Sequence, residues 1–226
     1  MFYFDPVYLL FIAPGLLIGL FATVLLKYWG SKYKSLQNLN HITGAELVSK
    51  ISQKYGLKLS MNIIDQEYGD YYNPSENSLT LSRQTAYGTT ITAVAVAGHE
   101  LGHALQHKNH SPLIYIREFI VPAVNIGTNL GYILIVIGLV MSIFELSYAG
   151  LILFSISTIF TLVTLPIEID ASRRALNFIN SSDILFPEEI SGAKKVLSAA
   201  ALTYVAALLQ SVGQLLYFFF RIKKKN

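Results

Sequence analysis

Four stretches of this 226-residue chain contain no Asp, Glu, Lys or Arg at all: residues 6–26, 119–144, 146–167 and 196–220. Each is 21 to 26 residues long. At about 1.5 Å of rise per residue such runs make helices of roughly 31 to 39 Å, enough to cross a hydrocarbon core of about 30 Å. A buried helix in a water-soluble protein rarely needs more than about 14 consecutive apolar residues. Charged residues are 14% of the chain, against about 25% in soluble globular proteins. Because the deficit is confined to the four runs, the chain divides into spans at about 7–26, 119–144, 147–167 and 197–220 and water-facing parts at about 27–118 and 168–196. The first run reads as a retained anchor and not a cleaved signal, since no Lys or Arg precedes it and Lys27 follows where small residues would be needed.

The absence of cysteine excludes disulfide frameworks, thiolate metal sites, cysteine nucleophiles and palmitoylation. The formal charge of +3 comes largely from clusters flanking the spans, Lys27, Lys32 and Lys34 at one and Arg221, Lys223, Lys224 and Lys225 at another. Such clusters anchor to lipid headgroups, so the bilayer is the expected partner and nucleic acid is not. Spans without intramembrane charge also argue against a transporter.

Within the first water-facing part, Thr43-Gly-Ala-Glu46 is a capping box that opens a helix with Val48 and Ile51 on one face, closed by Gly56. Leu57, Leu59, Met61 and Ile63 alternate with polar residues as in a half-buried strand. Residues 65–75, with Gly69, Asn73 and Pro74, read as a loop, and residues 78–81 as a second strand pairing with the first in a β-hairpin. Apolar residues at three- and four-residue spacings predict one helix over residues 85–106. In the second water-facing part the pattern predicts a helix over 166–179, a loop through Ser181-Ser182-Asp183, and another helix entered at Pro187.

The predicted 85–106 helix carries His99-Glu100-Leu101-Gly102-His103, an HExxH sequence. Histidines at i and i+4 project from one helix face, where both imidazoles can reach a single Zn²⁺. Glu100 then lies where its carboxylate can act as general base on zinc-activated water. Gly98 and Gly102 inside a helix cost about 1 kcal/mol each relative to Ala, which a close backbone approach would explain.

A catalytic zinc requires a third protein ligand and an open fourth position. Gln106 and Asn109 stand where the metzincin pattern needs glycine and histidine, which excludes that class. His107 and His110 read as solvated surface residues. Glu168 is the better third ligand: the second and third spans form a hairpin around Glu145, returning Glu168 to the side of the membrane that holds His99 and His103. Asp170 points about 200° away from Glu168 on a helix, so only one of the two can face the metal. The competing assignment for Glu168 is an interfacial carboxylate paired with Arg173 or Arg174.

The stretches His99-Glu-Leu-Gly-His103-Ala-Leu-Gln106, Thr164-Leu-Pro-Ile-Glu168-Ile-Asp170-Ala-Ser172-Arg-Arg-Ala175, Ala199-Ala-Ala-Leu-Thr-Tyr204-Val-Ala-Ala207 and Phe4-Asp-Pro6 together resemble the YugP-type membrane zinc metallopeptidases, nearly end to end. The resemblance implies a single bacterial membrane-embedded endopeptidase domain over residues 1–226, of the gluzincin kind. Its expected fold is mainly α, four transmembrane helices with a small water-facing α+β zincin-like catalytic domain containing a short β-hairpin. His99 and His103 would be metal ligands and Glu100 catalytic, with Glu168 the third ligand by similarity to the Glu-x-x-x-Asp helix of larger membrane zinc peptidases. Ser172 stands where that larger group has aspartate, and Asp70-Tyr71-Tyr72-Asn73-Pro74 stands where the family is expected to carry Asp-His-Tyr-Asp-Pro.

Hydrolysis also needs an oxyanion donor, for which Tyr71, Tyr72, Tyr204 and Arg173 are candidates. The expected function is that of an integral membrane zinc-dependent endopeptidase acting on protein or peptide substrates near the bilayer, with the strand pair offering an edge for an extended substrate. The alternative is a non-catalytic membrane scaffold or chaperone-like protein with a structural metal site. The placement of Lys and Arg favours a multi-pass protein of the bacterial cell membrane with its catalytic side in the cytoplasm.

Overall fold

The computed structural model describes residues 5–182 and 184–225; Phe4 and Asp183 lie outside the described residues. Among the described residues seven helices and three strands follow in the order α1 (Pro6–Lys34), α2 (Gly44–Tyr55), β1 (Ser60–Ile64), β2 (Tyr71–Asn73), β3 (Ser78–Ser82), α3 (Arg83–Tyr87), α4 (Ile91–Lys108), α5 (Pro112–Met141), α6 (Phe144–Ser181) and α7 (Pro187–Lys225). The helices α1, α5, α6 and α7 are long and apolar enough to cross a membrane. Each contains one charge-free run or most of one, but extends past it. The 166–179 helix is the continuation of α6, with Pro166 inside it, and the helix entered at Pro187 continues to Lys225. The second run ends in a turn: Ser142 takes a left-handed φ of 58° and Ile143 N–H donates to Gly138 O at 2.8 Å.

The chain forms two compact units, one of residues 1–21, 115–166 and 202–226, the other of residues 22–114 and 167–201. In the first, helices meet through small residues. A Cβ on Gly131 would lie 2.6 Å from Phe154 N, and one on Gly150 would lie 2.6 Å from Gly131 O, so α5 and α6 are in backbone contact, as apolar helices are when van der Waals packing drives their association. Asp5 caps α1, its Oδ1 accepting from Val7 N–H at 3.0 Å while Oδ2 accepts from the Tyr217 hydroxyl at 3.0 Å.

The second unit has a hydrophobic core of Leu47, Val48 and Ile51 from α2, Leu79 and Leu81 from β3, Val94, Leu101 and Leu105 from α4, and Phe178 and Ile179 from α6. The expected capping box holds: Thr43 Oγ1 accepts from Glu46 N–H, Glu46 accepts from Thr43 N–H, and Gly56 ends the helix in the left-handed region. Two expectations are corrected. First, residues 85–106 are not one helix. Gly88 interrupts the pattern, a Cβ there would lie 2.2 Å from Gln84 O, and Thr90 starts α4 afresh by accepting from Ala93 N–H at 3.1 Å.

Second, the strand of residues 57–63 and the strand of residues 78–81 do not form a hairpin. They run parallel as β1 and β3, with Ser60 opposite Ser78 and Ile64 opposite Ser82. Parallel strands need a connection of roughly a dozen residues or more, and residues 65–77 provide it by carrying an unforeseen strand, β2, antiparallel to β3. The hairpin is therefore β2–β3, and the sheet order is β1-β3-β2. β3 is buried throughout, whereas Met61 and Ile63 of β1 are exposed and not half-buried.

The α4 and α6 backbones are in close contact at Gly102, where a Cβ would lie 2.5 Å from Ala171 O and 2.9 Å from Ala171 Cα. One turn earlier, Gly98 faces Ala175, whose Cβ would be 3.3 Å away. Gly102→Ala gains up to about 1 kcal/mol of helix propensity but meets rigid backbone, an overpacking cost of about 1–3 kcal/mol. It should melt below wild type in detergent. Gly30→Ala, in α1 with nothing within 4 Å of its Cβ, should melt at or above wild type in the same measurement.

Candidate metal centre

α4 and α6 place three donors together. His99 and His103 lie one turn apart on α4, their rings at right angles with centroids 4.8 Å apart. Their Nε2 atoms lie 3.2 Å and 3.6 Å from Oε2 of Glu168, on α6. One donor atom from each of the three residues falls within 4.8 Å of the others. Glu168 is only 3% exposed. A carboxylate so placed needs cationic or hydrogen-bonding partners, and it finds them in the two imidazoles. Arg173 and Arg174 both pair with Asp170, Arg174 Nε donating to Oδ2 at 2.6 Å.

Each imidazole is held at its other nitrogen. His99 Nδ1 is 3.1 Å from Ser172 Oγ, and His103 Nδ1 is 3.0 Å from Gln106 Oε1. Such contacts orient metal-ligating histidines and fix which nitrogen presents its lone pair. Ser172, at the position of the expected aspartate, thus supplies a hydroxyl to the first histidine. Two imidazoles and a carboxylate make an N/O donor set of the kind zinc takes, and the orienting contacts are already in place.

Glu100 is aimed by the sheet. Its Oε2 accepts from Tyr72 N–H at 3.0 Å, so the Tyr72 amide points off the β2 edge towards α4. Asp70, just before β2, is fixed by accepting from Ser82 N–H at 2.8 Å. Burial pushes the Glu100 carboxyl above the usual glutamate range, more than the neighbouring His99 and His103 pull it down. For His103, burial alone would lower the pKa, but the carboxylates of Glu168 and Glu100 and the hydrogen bond to Gln106 outweigh it and leave it raised.

Among the oxyanion candidates, Tyr72 reaches away from Glu100 with its hydroxyl, which donates to Asn77 Oδ1 at 3.0 Å and lies 3.1 Å from His107 Nδ1. Tyr71 is exposed on β2, Arg173 pairs with Asp170, and Tyr204 lies on α7. His107 is half-buried beside Tyr72, and His110 is exposed. Gln106 was not foreseen as part of the site. Its signal was an amide on the apolar face of α4, where it is 1% exposed.

A raised His103 pKa means that a proton competes with a metal up to a higher pH than for an ordinary histidine. Metal retention should therefore fall as pH drops through a value above about 6.5. Chelator competition across about pH 5.5–8 measures it.

Over residues 8–223 the chain matches the family described as "Putative neutral zinc metallopeptidase". A relative from Bacillus subtilis (strain 168), described as "Putative membrane protease YugP", is 39% identical over 188 residues, which cover 83% of this chain and 84% of that protein. No solved structure matches the chain. With both likenesses extending over most of its length, the chain belongs to this zinc metallopeptidase family.

Proposed function

We propose that the protein is an integral membrane zinc-dependent endopeptidase in which His99, His103 and Glu168 hold the metal and Glu100 is the general base. The observation that carries this reading is the convergence of the two Nε2 atoms on the Glu168 carboxylate, with the Glu100 carboxylate held beside them by Tyr72. Zinc, when bound, polarises the scissile carbonyl and acidifies water. Glu100 takes the proton of the attacking water and returns it to the departing amine, a role that a carboxylate with a raised pKa fits better than one of ordinary acidity. Among the described residues three protein donors converge, the number that catalytic zinc sites use with a fourth position left for water or substrate, whereas structural zinc sites close with four.

The substrates are protein or peptide segments near the bilayer. Of the two sheet edges, β2 is the one whose backbone touches Glu100, and we assign the extended substrate to that edge. An exposed ring such as Tyr71 then meets substrate and not metal. Tyr71→Ala should raise KM with zinc content unchanged; an unaltered KM would place the substrate elsewhere.

Glu100→Gln keeps the size of the side chain and an acceptor for Tyr72 N–H. It should bind zinc like wild type while cleavage of membrane-protein fragments falls about 10²–10⁴-fold; retained cleavage would assign the site to a structural metal in a scaffold. The same variant should melt higher than wild type in the zinc-free form at neutral pH. The folded state raises the Glu100 pKa, so ionising it costs folded-state stability, and the difference should close as pH falls through that raised pKa.

A further inference from the structure

The His103–Gln106 contact is one end of a longer chain of hydrogen bonds whose polarity is set at the other end. Gln106 Nε2 donates to Ile167 O at 2.9 Å and to Asp170 Oδ2 at 2.9 Å. An amide nitrogen has two hydrogens, and here both face groups that can only accept. The amide therefore has one orientation, with Oε1 towards His103. An amide oxygen cannot donate, so His103 must carry a hydrogen on Nδ1, which leaves Nε2 as the nitrogen whose lone pair any metal held beside Glu168 would take. His99 lacks this constraint, because its partner Ser172 Oγ can donate or accept.

Asp170 is kept available for this task. Arg173 Nη2 pairs with Oδ1 and Arg174 Nε with Oδ2, which holds the carboxylate ionised and so acceptor-only. The two arginines are one turn further along α6, at i+3 and i+4. The rotation that turns Glu168 to the histidines turns Asp170 to Gln106, and both carboxylates of the Glu168-Ile-Asp170 stretch address the same α4 histidine, one directly and one through an amide.

We propose that Gln106 and Asp170 are positioning residues that lock His103 in the Nδ1–H tautomer, with Asp170 acting through Gln106. The proposal rests on the zinc reading above, and its test separates the two. Full-length protein in detergent is titrated with Zn²⁺ against a chelator at one pH for wild type, Gln106→Met, Asp170→Ala, the double variant and Arg174→Gln. Gln106→Met should lose about ten- to a hundredfold in zinc affinity, and Asp170→Ala a smaller but clear factor. The double variant should be no weaker than Gln106→Met, since Asp170 has no other route to the metal. Arg174→Gln, which leaves Gln106 its acceptor, should stay within about threefold of wild type. Melting of the zinc-free variants, judged on Asp170→Ala if Gln106→Met does not fold, separates lost orientation from lost structure.

Wild-type affinity in Gln106→Met overturns the relay alone. Losses that multiply in the double variant, or an Arg174→Gln loss equal to that of Asp170→Ala, overturn the role of Asp170. A wild-type protein that takes up no zinc overturns the metal reading and the relay together.

Discussion

The near-contact of α4 and α6 at Gly102 and Ala171 is the constraint on which the candidate site depends. Nε2 of a histidine on one helix can reach a carboxylate on another only if the helix axes are close, and ordinary side chains hold axes about 8–10 Å apart. A Cβ on Gly102 would lie 2.5 Å from Ala171 O, so only glycine permits the observed approach. Ala171 lies three residues after Glu168 and Gly102 one before His103, so this close contact of the helix pair lies within a turn of where the three donors converge. The helical instability that two glycines bring to α4 is offset by this packing and by the core around Leu101 and Leu105.

Much of this arrangement was legible because it depends on local signals. The capping box at Thr43, the left-handed Gly56, the helical spacing of His99 and His103 and the four charge-free runs each refer to a few adjacent residues. The strand pairing was not legible. Residues 57–63 and 78–81 show where strands are but not their direction, and the connecting strand β2 is three residues long, too short for alternation to show. Gly69 before it, Pro74 after it and its own Asn73 mark it as a loop. The break between α3 and α4 was hidden because Ile91 and the residues before Gly88 keep helical spacing across the gap.

In the site itself, helical geometry lets only one of Glu168 and Asp170 face the metal, and the need of a boundary carboxylate for a positive partner favours Glu168; the structure puts Glu168 Oε2 3.2 Å and 3.6 Å from the two Nε2 atoms. The orienting contacts did not follow, because they join α4 to α6 and depend on side-chain rotamers. In the sequence Gln106 shows only the absence of a metzincin glycine, and Arg173 and Arg174 offer Glu168 a competing role as an interfacial ion pair. The arginines instead hold Asp170, while the two histidines contact the Glu168 carboxylate.

The order of the donors along the chain has a temporal meaning. His99, Glu100 and His103 precede the α5–α6 hairpin and Glu168 follows it, 65 residues after His103. At about 5–20 residues per second of synthesis, the third donor emerges roughly 3–13 s after the second, and only once both apolar helices of the hairpin have been made. A nascent chain with its histidines exposed is therefore an incomplete zinc binder. The order of residues alone withholds the third donor until the α5–α6 hairpin exists.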